Sequence, residues 1–92
     1  MDVEIEVHNS ILISGRGAVL IGYVVNGAVR VGHVTMPLAL DNGPQRRLEI
    51  IAVERLSSME RRAPAVGLVF RNPPRLDDLR RALPPGSLLV LD

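Results

Sequence analysis

Residues 11–31 constrain the fold more than any other part of the sequence. This stretch, ILISGRGAVLIGYVVNGAVRV, alternates short apolar runs with glycines and one Asn-Gly pair. Branched apolar side chains pack well in strands, and glycine permits the positive φ angles of tight turns. The pattern predicts a strand, a glycine turn at 14–17 and a long strand over 18–25, interrupted at Gly22 by a bulge, a bend or a close backbone approach. It then predicts a hairpin turn at Asn26-Gly27 and a return strand over 28–31.

The rest of the chain predicts further strands and one short helix. Residues 2–7 alternate acidic and apolar side chains, which is typical of a half-buried strand, and 11–13 resume it. Further strands are expected over 33–40, 45–56, 66–70 and 88–91, the first of them irregular because Pro37 cannot donate a ladder hydrogen bond. Leucines at helical spacing over 75–83 predict one or two helical turns.

The whole-chain numbers are those of one small domain. With 92 residues we expect a single domain spanning 1–92, and 47% apolar residues are enough for a core. That core must be aliphatic, since Tyr23 and Phe70 are the only aromatic residues. There is no cysteine, which excludes disulfides and thiolate chemistry. Many short strands with turn signals between them predict an all-β barrel or sandwich.

The N-terminal residues bear on where the protein resides. The start, MDVEIEVHNS, is acidic and alternating, without the basic and apolar regions of a signal peptide. The apolar runs, such as 18–21 and 88–91, are far shorter than the ~20 residues that span a bilayer. We expect a cytoplasmic protein that does not enter a membrane. From Met1 at the start and a strand reaching Asp92 we expect a complete small protein, although a fragment of a longer chain would have the same pattern.

The glycine-containing stretch resembles the second domain of elongation factor Tu and related translational GTPases. The residues that carry the resemblance are Ser14, Gly15, Arg16, Gly17, Val19, Gly22, Val24, Gly27, Val31 and Gly32, with weaker agreement at 53–54, 66–68 and 85–86. The resemblance implies a closed, mainly antiparallel six-stranded barrel of the translation-protein type. In the family this barrel follows a GTPase domain, which this sequence does not contain.

The resemblance also implies partners. In elongation factor Tu the barrel helps to hold the aminoacyl end of tRNA, and in related factors it contacts ribosomal RNA or protein. The family's glutamate near the terminal ribose of tRNA matches Glu54. The aromatic residue and the arginine that follow it in the family are replaced here by Leu56 and Ser57.

The same residues form no recognisable catalytic or cofactor motif. The glycines at 15–17 lie between strands rather than opening a helix, and Tyr23-Val24 stands where a phosphate loop needs Lys-Ser/Thr. His8 and His33, without cysteine, are too few ligands for zinc. A dyad of His8 with Ser10 or Ser14 has no third group to orient it. We therefore expect no enzyme, no cofactor and no metal.

Arginine is the only basic residue type, and most of its copies lie in the second half of the chain. The net charge of +1 gives no general case for nucleic acid. The guanidinium group nevertheless suits phosphate and carboxylate. The arginines of this half that we consider for a binding surface are Arg46, Arg47, Arg61, Arg62, Arg71, Arg75, Arg80 and Arg81.

The sequence thus favours a non-catalytic binding module that acts through a protein or ribonucleoprotein partner, such as a GTPase or a ribosomal component. The candidate contact residues are Arg16, Glu54, Arg46, Arg47, Arg61 and Arg62. One alternative is an RNA-binding module for the tRNA end, although the scarcity of aromatic residues leaves few platforms for base stacking. A second is a small enzyme or enzyme subunit. Exposed strand edges near Pro37 would favour protein pairing or self-association.

Overall fold

The computed structural model describes residues 2–40, 43–57 and 63–92, which form one antiparallel sheet and one short helix. The elements in chain order are β1 (Val3–Ile13), β2 (Gly17–Asn26), β3 (Ile50–Arg55), β4 (Ala65–Phe70), α1 (Leu76–Ala82) and β5 (Leu88–Leu91). The strand order is β3-β4-β2-β1-β5, and every neighbouring pair is antiparallel. The predictions of a β-rich, antiparallel fold with one short helix near 75–83 are confirmed.

The first two strands pair along most of their length. β1 is continuous through residues 8–10. A bulge between Val7 and Asn9 shifts the pairing register at the point where the apolar alternation of the sequence breaks. Gly22 of β2 faces Val7 and allows a close approach, since a Cβ atom there would lie 2.6 Å from the Glu6 carbonyl oxygen and 2.6 Å from Ile5 Cγ2. The predicted close approach at Gly22 is confirmed.

The predicted hairpin at Asn26-Gly27 is wrong. A type I′ turn needs positive φ at both central residues, and only Gly27, at 77°, has it. The strand order explains why no return strand forms over 28–31. β2 already has β1 on one side and β4 on the other, so no free edge remains beside it. The chain instead leaves the sheet, and Gly27 packs against Val3.

The sixth strand expected over 33–40 is present only as isolated bridges. Val34 bridges to Glu49, Thr35 to Leu91, and Leu38 to Arg46. Pro37, which has no N–H, interrupts the ladder between the last two bridges. The strand expected over 45–56 is likewise shorter and begins at Ile50.

Hydrogen bonds from this bridged segment reach both edges of the sheet. The Thr35 amide donates to the Leu48 carbonyl at 2.8 Å, just before β3, and the Met36 amide donates to the Val90 carbonyl of β5 at 3.1 Å. In return, the Asp92 amide donates to the Val34 carbonyl at 2.8 Å. Residues 34–38 therefore cover backbone groups of β5 at one edge of the sheet and of the segment that leads into β3 at the other.

The core is aliphatic, as the composition predicts, and Phe70 is its one aromatic member. β1, β2, β4 and β5 contribute alternate side chains to it, and α1 packs against β1 and β2 and adds Leu79. The buried members are Val3, Ile5, Val7, Ala18, Leu20, Leu40, Leu48, Ile50, Val66, Leu68, Phe70, Leu79, Leu83, Leu89 and Leu91. All six residues of β4 are buried, so this strand is covered on its outward face as well as on its core face.

Candidate functional site

The structure brings together two of the predicted contact residues, Arg16 and Glu54. Arg16 lies at the tip of the β1–β2 turn, where its amide donates to the Ile13 carbonyl at 3.0 Å. Gly15 and Gly17 flank it with φ angles of 82° and 80°, values that other residues rarely adopt. The guanidinium group of Arg16 forms an ion pair with the Glu54 carboxylate of β3. Since β4 lies between β2 and β3, the Arg16 side chain must cross the outward face of β4 to reach it.

Gly67 lies beneath this ion pair on β4. Its neighbours in register are Ile21 of β2 and Glu54 of β3, while Leu68 beside it in sequence points into the core. A Cβ atom at Gly67 would lie 3.7 Å from Val19 Cγ1, 3.9 Å from Leu56 Cδ1 and 4.0 Å from Glu54 Cβ. We call this outward region, made of Arg16, Val19, Ile21, Glu54, Leu56 and Gly67, the Gly67 surface.

The Gly67 surface combines an apolar floor with a charged rim. Val19 is buried and Ile21 half-buried, although both point away from the main core cluster. The Arg16 and Glu54 side chains remain 46% and 44% exposed, so solvent reaches both charges. Among its apolar residues, the half-buried Ile21 and Leu56 leave area for a partner, beside one charged group of each sign.

A second group of charges forms an open groove with a volume of about 330 Å³. Its lining residues are Arg46, Arg47, Glu49, Arg71 and Asn72, which we call the arginine groove. Two of them, Arg46 and Arg47, are predicted contact residues. Arg71 was considered only within the larger set of arginines, and Glu49 and Asn72 were not predicted. The sequence alone does not show this grouping, because only the pairing of β3 with β4 brings residues 70–72 beside residues 46–50.

The arginines of the groove have different partners. Arg46 donates to the Asn72 carbonyl oxygen. Arg47 donates from Nε to the Thr35 carbonyl at 2.9 Å and pairs with the Asp92 carboxylate. Arg71 donates from Nε to Glu49 Oε1 at 3.1 Å. Among the residues that the structure describes, Arg46 thus has no carboxylate partner.

Of the other described arginines considered for a binding surface, Arg75, Arg80 and Arg81 do not line this groove. Arg80 is a structural residue, because its guanidinium donates to the Ser10 carbonyl of β1 at 3.1 and 2.8 Å. Arg81 pairs with Asp78 on the same helix. The predicted contacts Arg61 and Arg62 lie outside the described residues.

The histidines occupy two different environments. His8 packs edge-on against Tyr23, with ring centroids 5.7 Å apart. The Ser10 hydroxyl is buried without a hydrogen-bond partner, so no bond links it to His8. His33 accepts a hydrogen bond from the Arg30 amide at 3.1 Å and lines an open groove of about 490 Å³ with Asp2 and Glu4. In residues 2–40, 43–57 and 63–92, no three His, Asp or Glu side chains are grouped so that they could hold a metal ion.

Comparison with protein-family models gives no match for this sequence, and comparison with curated proteins gives none either. No helix in the described part of the chain is long and apolar enough to cross a membrane.

Proposed function

We propose that this chain is a non-catalytic binding module, a translation-factor-like barrel that acts through a protein or ribonucleoprotein partner. The observation that carries the proposal is the ion pair between Arg16 and Glu54. Arg16 belongs to the glycine turn on which the resemblance to the elongation factor Tu barrel rests, and Glu54 matches that family's tRNA-end glutamate. Because the Arg16 and Glu54 side chains meet on one outward face of the sheet, the glycine turn and β3 both contribute to one surface.

The proposal includes closure of the sheet into a six-stranded barrel. The bridges at Val34, Thr35 and Leu38 support it, because they join β5 to the segment that leads into β3. In this reading, residues 34–38 are the sixth strand, reduced to isolated bridges by Pro37. A closed barrel would hold the Gly67 surface rigid, as its strands would have no free edge.

The composition of the Gly67 surface favours a protein contact over RNA. Val19, Ile21 and Leu56 are aliphatic, whereas single-stranded nucleic acid is usually bound by stacking on aromatic side chains. Phe70 is buried in the core and Tyr23 packs against His8. A small apolar area with one charge of each sign on its rim resembles a protein interface, in which apolar contacts lie inside a polar border.

A ribosomal component is the partner to test first. The purified chain would be sedimented with ribosomes of its own organism, alongside Ile21→Lys and the control Val25→Lys. Both substitutions put a lysine at a position of β2 that solvent reaches, but only residue 21 belongs to the Gly67 surface. We expect saturable co-sedimentation that weakens at least tenfold in Ile21→Lys, a loss of ~1.4 kcal/mol, and is unchanged in Val25→Lys. No co-sedimentation, or an equal loss in both variants, would contradict a ribosomal partner at this surface.

The RNA alternative rests on the match of Glu54 to the tRNA-end glutamate of the family that the chain resembles. It is tested by fluorescence anisotropy of labelled tRNA ending in CCA, charged and uncharged, at two salt concentrations. Binding that prefers the charged tRNA and weakens in Glu54→Ala would support a tRNA-end site. Binding that ignores both the aminoacyl group and Glu54 would exclude that role for the Gly67 surface.

A further inference from the structure

The arginine groove lies apart from the Gly67 surface in its residues and in its chemistry. Its five lining residues are all polar or charged, and three of them are arginines. Two carboxylates, Glu49 inside the groove and Asp92 beside it, offset part of that charge. Three guanidinium groups and two side-chain carboxylates give these side chains together a net charge of +1.

The two carboxylates leave several guanidinium donors unused. In the described part of the chain, Arg71 uses only Nε, so both of its Nη groups are free. Arg46 uses one Nη group on a neutral carbonyl, and among the described residues its Nε and second Nη group have no partner. A guanidinium group presents its N–H donors in a planar fork that matches the oxygens of phosphate. The groove therefore offers donors from two arginines that no internal acceptor satisfies.

Backbone hydrogen bonds fix the positions of these two arginines. Arg46 exchanges both backbone hydrogen bonds with Leu38, at 2.8 and 3.0 Å. The Arg71 amide donates to the Glu49 carbonyl at 2.9 Å. Asn72, with φ of 49°, turns the chain directly after β4 and directs its carbonyl toward Arg46. The two side chains therefore start from ordered backbone on two neighbouring segments, which limits the ordering cost of binding.

We propose that the arginine groove binds a compact phosphate group, either inorganic phosphate or the monoester of a small molecule. Phosphate carries three or four acceptor oxygens, which can use the free donors of Arg46 and Arg71 together. Glu49 and Asp92 make the positive region small, so a long polyanion would meet carboxylates beside it. Among the described residues, the groove has no apolar lining residue to select a peptide side chain. These features favour a small phosphate over nucleic acid and over a phosphopeptide.

The test is a titration of the ¹⁵N-labelled chain with sodium phosphate at constant ionic strength, followed by NMR of backbone amides and arginine Nε–Hε groups. We expect saturable shifts at Arg46, Arg71 and Asn72 with a dissociation constant on the order of 1 mM or lower. Arg46→Gln and Arg71→Gln should each weaken binding about tenfold, because each removes charge-assisted hydrogen bonds. Arg81→Gln removes the same charge on the helix and should leave the dissociation constant unchanged.

Further arms identify the source of the phosphate. Tighter binding of ribose 5-phosphate than of inorganic phosphate would assign the groove to a small phosphomonoester, and the reverse order would assign it to free phosphate. The proposal is overturned by an absence of saturable shifts in the groove, or by an equal loss in Arg81→Gln. It is also overturned if only a short RNA duplex or a phosphoserine peptide shifts these residues. Arg46 and Arg71 are both exposed, and thermal unfolding of each variant confirms that it is folded.

Discussion

Arg16 and Glu54 form an ion pair that joins the β1–β2 turn to β3, which lies two places away from β2 in the sheet. Each residue is held by local structure, one by a glycine turn and the other by strand pairing with Gly67. The pair therefore connects parts of the chain that share no backbone hydrogen bond. An ion pair of this kind can take part in binding even where it contributes little to the free energy of unfolding.

We expect the ion pair to contribute little to stability. Both side chains are nearly half exposed, and exposed pairs are typically worth ~0.2–1 kcal/mol. A double-mutant cycle of Arg16→Ala and Glu54→Ala, measured by urea unfolding, should give a coupling free energy below ~1 kcal/mol. Circular dichroism is the suitable signal because the sequence has no tryptophan. A coupling of ~2 kcal/mol or more would mean that the pair is a structural clamp rather than a surface feature.

Two glycines of the sheet should respond differently to substitution by alanine. At Gly22 the new Cβ atom would lie 2.6 Å from a backbone oxygen of β1, so Gly22→Ala should lower the free energy of unfolding by ~1–3 kcal/mol. At Gly67 the nearest atom is 3.7 Å away, an ordinary contact, so Gly67→Ala should change stability by less than ~0.5 kcal/mol. Thermal melts of the two variants compare them directly. Equal destabilisation would contradict the packing seen at these positions.

Thr35 tests how far the bridged segment 34–38 stabilises the fold. Its buried hydroxyl accepts a hydrogen bond from the Leu48 amide at 2.9 Å. Thr35→Val keeps the side-chain shape but leaves that buried N–H unpaired, which should cost ~1–3 kcal/mol. Hydrogen exchange of the Leu48 amide should accelerate in the same variant.

The matched control for Thr35 is Ser10, whose buried hydroxyl has no partner. Ser10→Ala removes an unpaired polar group, so stability should fall by no more than ~0.5 kcal/mol or should rise. If Ser10→Ala cost as much as Thr35→Val, the Thr35–Leu48 hydrogen bond would not explain the effect.

Arg80 should matter for the attachment of the helix to the sheet. It donates two hydrogen bonds to the Ser10 carbonyl, whereas Arg81 makes an exposed pair with Asp78 on the same helix. Arg80→Met keeps the apolar stem and should lower the free energy of unfolding by ~1–2 kcal/mol. Arg81→Met should lower it by ~0.5 kcal/mol or less. Urea unfolding of both variants makes the comparison, and a reversed order would remove the structural role assigned to Arg80.

Much of the local structure could be predicted from sequence because its causes are local. Alternation of acidic and apolar residues defines the start of β1, and two glycines define the turn around Arg16. Pro84 and Gly86 end the helical segment, and the apolar run after them forms β5. A closed six-stranded barrel and a function in binding stay predictions.

The tertiary structure decided what depends on strand order. Asn26-Gly27 has the sequence of a hairpin, but β2 lies between β1 and β4, so the following residues had to leave the sheet and cover its edges. The same order brings Arg16 to Glu54, and the pairing of β3 with β4 brings Arg71 to Arg46. The sequence by itself determined β1, β2, β4 and β5, the glycine turn around Arg16 and the residues able to carry charge. Which charges meet was decided by non-local pairing, because residues far apart in sequence become neighbours only when the sheet assembles.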